Sequence, residues 1–224
     1  GHTDTLPVTL EEMIYHTRCV ARGTQNAHLT TDLPFLSYQV SPEHALTAAG
    51  RVLKEGGAQS VKLEGGVSMA PTIARLVEVG IPVIGHVGLT PQSVHAMGGF
   101  RVQGRTESDA ARVLADAQAV ADAGAFCVVL EGIPSDLAAD ITAAIQVPTI
   151  GIGAGPACDG QVLVCYDLLG LDLRFKPRFV KHYAQLETTV VDAFKAYVDE
   201  VRSGAFPTEE HGFSRAASPL KRVY

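Results

Sequence analysis

The sequence has no apolar run long enough to span a bilayer. Its longest, around Ile81 to Leu89, is broken by Pro82, Gly85 and His86. An excess of positive charge is missing too. With 24 acidic against 18 basic residues the net charge is −6, which disfavours nucleic acid or anionic lipid as the main partner. Cysteine is scarce and unpaired in pattern: Cys19, Cys127, Cys158 and Cys165 form no CxxC. Cys127 lies within an apolar stretch and reads as a buried thiol, so reduced cysteines and a cytoplasmic setting are expected. The N-terminus lacks the basic, apolar and small-residue order of a signal peptide. It opens on Gly1 rather than Met, and the expectation is a start inside a longer chain. HExxH, GxSxG and Cys/His zinc spacings are all absent, which disfavours hydrolysis by zinc or by a nucleophilic serine. No Gly-, Pro- or Ser-rich linker divides the chain. One domain over residues 1–213 is expected, with 214–224 as a mobile tail carrying Arg215, Lys221 and Arg222.

What is present is a core-forming composition, 46% hydrophobic with 19% charged, and a repeating pattern of short apolar run, turn and helix. Strands are predicted at Ala27–Asp32, Ser60–Glu64, Pro82–His86, Phe126–Glu131 and Pro148–Gly153, with a possible sixth in Gln161–Cys165. Thr9 with Glu12 makes a capping box, and Ser41-Pro42 opens a helix that stops at Gly56-Gly57. Further helices are predicted from about Ala70, from Thr90-Pro91, near Thr106 and near Ser135. A last helix carries Phe179, Tyr183, Leu186, Val190, Phe194, Tyr197 and Val201 on one stripe and stops at Gly204. Apolar strands alternating with amphipathic helices imply a parallel sheet covered on both faces. Periodicity leaves open a closed barrel or an open doubly wound sheet, and five or six strands fall short of a closed eight-stranded barrel.

Four of the strands end in an ionisable residue: Asp32, Glu64, His86 and Glu131. In parallel α/β folds the C-terminal strand ends form one rim, so these side chains are expected to converge. Lys62, two residues before Glu64, shares its face of the strand. A hard divalent cation and an anionic substrate suit such a set. Each residue also has a plain structural alternative. A strand-end carboxylate can be a helix cap or a solvated turn residue, His86 a core imidazole bonded to backbone, and Lys62 half of a simple ion pair. Gly151-Ile152-Gly153-Ala154-Gly155 matches neither GxGxxG nor a P-loop and reads as a tight rim turn. The glycine-flanked loop from Gly98 to Arg105 is compatible with a cover over the site or with a surface crossing.

Several blocks resemble the ketopantoate hydroxymethyltransferase family. They are Asp32-Leu-Pro-Phe-Leu-Ser-Tyr38, Val61-Lys-Leu-Glu-Gly-Gly66, Gly85 to Ser93, Gly98 to Arg105, and Pro148 to Gly155 followed by Cys158-Asp-Gly-Gln161. Thr5 to Thr9, Phe206-Pro207 and Glu210-His211 add to the likeness, which runs to Phe213. The resemblance implies an α/β fold of the (β/α)8 TIM-barrel type and a cytoplasmic homo-oligomer, a decamer. It implies hydroxymethyl transfer from 5,10-methylenetetrahydrofolate to 3-methyl-2-oxobutanoate, giving 2-dehydropantoate in pantothenate biosynthesis, with Mg2+ or another divalent metal. It assigns Asp32 to metal and substrate, Glu64 to the metal, Lys62 to the substrate, His86 to the lining of the same pocket, and Glu131 to proton acceptance. Two family strands and a Gly-Asp-Ser segment, whose aspartate is a metal ligand, would precede Gly1. The barrel is therefore expected to lack its first strands. A metal-dependent carbon–carbon lyase or mutase of the phosphoenolpyruvate mutase and isocitrate lyase type is the alternative enzyme. An inactive barrel serving in binding or assembly is the alternative outside catalysis.

Overall fold

The computed structural model describes residues 4–172 and 177–213, so the expected tail from 214 lies outside the described residues. The chain divides into two units, Gly1–Val162 and Leu163–Tyr224.

The first unit is a partial (β/α) barrel. Its strands are β1 (Thr30–Asp32), β2 (Ser60–Glu64), β3 (Val83–Gly88), β4 (Cys127–Glu131), β5 (Thr149–Ile152) and β6 (Gly160–Gln161). All six pair in parallel and in sequence order, forming a curled sheet open between β1 and β6. The helices are α1 (Leu10–Gly23), α2 (Pro42–Arg51), α3 (Ala70–Glu78), α4 (Glu107–Asp122) and α5 (Ser135–Ala144). The start signals work as expected. Thr9 and Glu12 form a reciprocal capping box, and Ser41 and Thr106 accept from His44 N and Asp109 N. After α2 the chain widens into one π turn, Val52–Gly56, before the left-handed Gly57 ends it.

Alternation along the strands gives the sheet two apolar faces. Val61, Leu63, Val83, Val87, Val128 and Leu130 point outward and pack with Ala49, Ile73, Leu76, Val113, Val120 and Ile141 in one buried cluster. Ile84, Cys127, Val129 and Ile152 point inward and form a second, smaller cluster with Ile150. Cys127 is thus a buried thiol, as expected. Gly85 belongs to the outer face. A Cβ there would lie 2.0 Å from Val120 Cγ1, so its missing side chain is what lets α4 close on β3.

One expected helix is absent. After Thr90-Pro91 there is only a 3₁₀ turn, Pro91–Ser93, and then irregular chain. Thr90 makes no cap bond, and Gln92 is drawn inward to β2 and the β1–α2 loop rather than into a helix.

The second unit contains α6 (Cys165–Leu169), α7 (Leu186–Ser203) and a 3₁₀ turn, Glu209–His211. The residues predicted to continue the sixth strand to Cys165 leave the sheet after Gln161, and Cys165 begins α6. The left-handed Gly204 terminates α7 as predicted, but the helix starts at Leu186, beyond Phe179 and Tyr183. Val190, Phe194, Tyr197 and Val201 on its stripe are all exposed.

Candidate active site

The parallel register aligns the inward residues of the first four strands in layers. Asp32 pairs with Lys62, Glu64 with His86, and Gly88 with Glu131. Asp32, Glu64 and Glu131 therefore end their strands, while His86 sits two residues below the end of β3. The strand extends past it because Gly88, at φ 93, turns the chain so that Leu89 N donates to the Glu131 carbonyl at 2.8 Å. A Cβ at Gly88 would lie 2.4 Å from that carbonyl oxygen.

The five residues singled out from the sequence form one continuous cluster above the inner apolar layer. Lys62 Nζ lies 2.8 Å from Asp32 Oδ2 and 3.2 Å from His86 Nδ1. His86 Nδ1 is 3.8 Å from Glu64 Oε1, and His86 Nε2 is 3.1 Å from Glu131 Oε2. An ammonium can only donate, so His86 Nδ1 accepts from Lys62 and the ring proton is assigned to Nε2, facing Glu131. The Nε2 approach is off the hydrogen-bond direction and makes a close electrostatic contact rather than an aligned bond. Burial, reinforced by Lys62, pushes the His86 pKa below its usual value and keeps the ring neutral.

Glu64 is the buried carboxyl of the set. Burial raises its pKa to about 7. The Gln92 amide and Lys62 work against that rise, and the neighbouring Asp32 and Glu131 add to it. Gln92 N donates to Glu64 Oε2 at 2.9 Å, and Glu64's own N donates to the Tyr38 hydroxyl at 3.1 Å. Tyr38 and Gln92 were not singled out from the sequence as site residues. The signal available was that both are polar residues inside blocks carrying the family likeness.

The donor set suits a hard cation. Among the described residues, three carboxylates face one ammonium, and Asp32 Oδ1 is buried without a hydrogen-bond partner. A cation beside Asp32 and Glu64 would satisfy that oxygen and remove the cost of ionising Glu64. Among the described residues no three His, Cys, Asp or Glu side chains are grouped to hold a metal. The fit is thus to a cation held by two carboxylates, with substrate and water completing its shell, a pattern usual for Mg2+.

A parallel (β/α) half-barrel with its ionisable groups gathered at the C-terminal rim places this chain in the barrel-enzyme class. Within that class it belongs to the ketopantoate hydroxymethyltransferase family, whose model matches residues 1–209. It is 61% identical to the 3-methyl-2-oxobutanoate hydroxymethyltransferase of Pelobacter propionicus, over 96% of this chain and 79% of that protein. Its identity to the Trichlorobacter lovleyi protein of the same name is 58%, over 96% and 80%. The chain thus spans about four-fifths of these relatives. Among solved structures, a phosphonopyruvate hydrolase superposes with a TM-score of 0.55 at 12% identity, covering 95% of this chain and 73% of that one. That likeness is one of fold.

Proposed function

We propose that the rim cluster catalyses hydroxymethyl transfer from 5,10-methylenetetrahydrofolate to 3-methyl-2-oxobutanoate, giving 2-dehydropantoate with net uptake of one water. The supporting observation is the unbroken chain of contacts from Asp32 through Lys62 and His86 to Glu131. Along that chain lie a carboxylate suited to take up a proton, an ammonium suited to a substrate carboxylate, and the buried Asp32 Oδ1.

Lys62 has three donors. Two are directed at Asp32 and His86, which leaves the third for the substrate carboxylate. Glu131, whose side chain is 19% exposed, takes the proton from C3 of the oxo acid, leaving an enolate. The neutral His86 holds its Nε2–H toward the Glu131 carboxylate and so restrains the base. Asp32 and Glu64 would hold a divalent cation, whose chemistry is Lewis-acid neutralisation of charge on the keto oxygen. The apolar layer of Ile84, Val129 and Ile152 beneath strengthens each of these interactions by excluding water. The enolate carbon then bonds the one-carbon unit as one of its two C–N bonds to the folate breaks. Water replaces the second nitrogen and supplies the hydroxyl, and the two freed nitrogens take up the C3 proton and the remaining water proton as tetrahydrofolate leaves. The exposed apolar side chains of α7 support a homo-oligomeric assembly.

The test is release of label from C3-deuterated 3-methyl-2-oxobutanoate, with Mg2+ and without folate. The protein is expected to exchange deuterium into water, and Glu131→Gln to slow exchange by about 10²–10⁴-fold while still binding the acid. Exchange by the variant at the unmodified rate would remove Glu131 from the role.

A further inference from the structure

The β1 side of the ladder makes its last backbone bond at Leu33, whose N donates to the Lys62 carbonyl at 2.9 Å, yet β2 runs on to Glu64. The Glu64 amide is thus left where the ladder has run out. The Tyr38 hydroxyl fills that place, accepting from Glu64 N at 3.1 Å and donating to Gln92 Oε1 at 2.8 Å. Leu36, in the left-handed region at φ 63, shapes the turn that brings Tyr38 back beneath the rim. The Gln92 side chain spans the gap between loops: Nε2 donates to the Leu33 carbonyl at 2.8 Å, and Oε1 also accepts from Gln39 Nε2 at 3.1 Å. With its side chain tied on both atoms, Gln92 presents its backbone N–H to Glu64 Oε2 at 2.9 Å. Tyr38 is 1% exposed and Gln92 8%, so no water competes freely for these bonds.

We propose that Tyr38 and Gln92 are positioning residues that together fix the Glu64 carboxylate at the rim. One bonds the Glu64 backbone and the other its side chain, and each bonds the other. The clasp engages Oε2 and leaves Oε1 turned toward His86 and the interior of the site. The inference rests on the reading of Glu64 as a cation-holding residue, and partners of this kind set the orientation of a metal-bound carboxylate.

The experiment compares Tyr38→Phe and Gln92→Met with Thr149→Val. The first two keep size but delete side-chain bonds, and Gln92→Met retains the backbone N–H while losing the ties that aim it at Glu64. Thr149→Val removes a fully buried hydroxyl at the far end of β5, bonded there to Asp159 and Thr142, and serves as a control for stability alone. Mn2+ affinity is read by titration calorimetry, with kcat and KM for the oxo acid and the unfolding midpoint alongside. Each clasp variant is expected to bind Mn2+ about tenfold more weakly and to lose kcat with little change in KM. Combining the two should add little, because both act through one carboxylate. The control should lower the midpoint and leave Mn2+ affinity and kcat alone. Undiminished Mn2+ affinity in both clasp variants, with the unmodified protein binding Mn2+, overturns the proposal. If the unmodified protein does not bind Mn2+, the cation reading fails by itself. The clasp then stands on kcat falling in both variants beyond the control, and falls if kcat does not. Should Gln92→Met not fold, Tyr38→Phe alone decides by the same outcomes.

Discussion

At Glu64 the protein holds a proton that the unfolded chain gives up earlier. Its carboxyl is raised from 4.5 to about 7, chiefly by burial. Between these two values the folded state binds more protons than the unfolded one, so stability falls as pH rises through the window. Below it, both states are protonated and the neutral carboxyl is fully favourable to folding; above it, the folded chain carries a buried charge. Urea unfolding in chelator, from about pH 5 to about pH 8, should show this decline, and Glu64→Gln should flatten it. An unchanged slope in the variant would assign the pH dependence to other groups. Part of this environment is legible in the sequence, because two-residue spacing alone puts Lys62 and Glu64 on one face of a strand. The clasp is not: Tyr38 and Gln92 reach Glu64 across 26 and 28 residues of chain, and no local pattern encodes such a meeting.

Among the elements, the contact of β3 with α4 leaves no room for a side chain at Gly85. Gly85 leaves space that a methyl group would share with Val120 at 2.0 Å, directly beside His86 in the strand. Gly85→Ala is expected to lower stability by about 1–3 kcal/mol, the usual cost of overpacking a filled core. Val120→Ala should recover part of that loss when combined with it, despite leaving a cavity on its own. Chemical denaturation of the two single variants and the pair measures the coupling, and strict additivity would show that the two side chains do not compete for the same space. Elements were legible where their signals are local. The Thr9 capping box, the Ser41 and Thr106 caps and the glycine stops at Gly57 and Gly204 all act within a few residues of themselves. The helix read from Thr90-Pro91 failed because its residues answer to long-range partners. Gln92 bonds Leu33, Tyr38 and Glu64, and these bonds outweigh the local preference to continue a helix.

For the molecule as a whole, a cation bound only by the folded rim must raise global stability by mass action. A hundredfold excess of Mg2+ over its dissociation constant should add about 2.7 kcal/mol and move the unfolding midpoint upward. Asp32→Ala, which removes the carboxylate carrying the unpartnered buried oxygen, is expected to cancel that shift. A shift of equal size in the variant would place the cation elsewhere. The fold class was legible because apolar strands alternating with amphipathic helices have few parallel solutions. The choice of a curled sheet over an open doubly wound one was not legible from periodicity, since strand order is a property of pairing between distant segments.

That strand order has a consequence in time. The sheet runs β1 to β6 without a single reversal, so each inner strand pairs with the one made just before it and then with the one made just after. As the chain leaves the ribosome, a strand and its helix can dock on the edge already built before later residues exist, since synthesis is slow beside local folding. The growing sheet always offers one new edge, and the next strand to appear is its native neighbour. Assembly can therefore follow synthesis step by step, and the three carboxylates of the rim arrive in order: Asp32, then Glu64, then Glu131. The cluster gains its last member only when β4 has been laid down against β3.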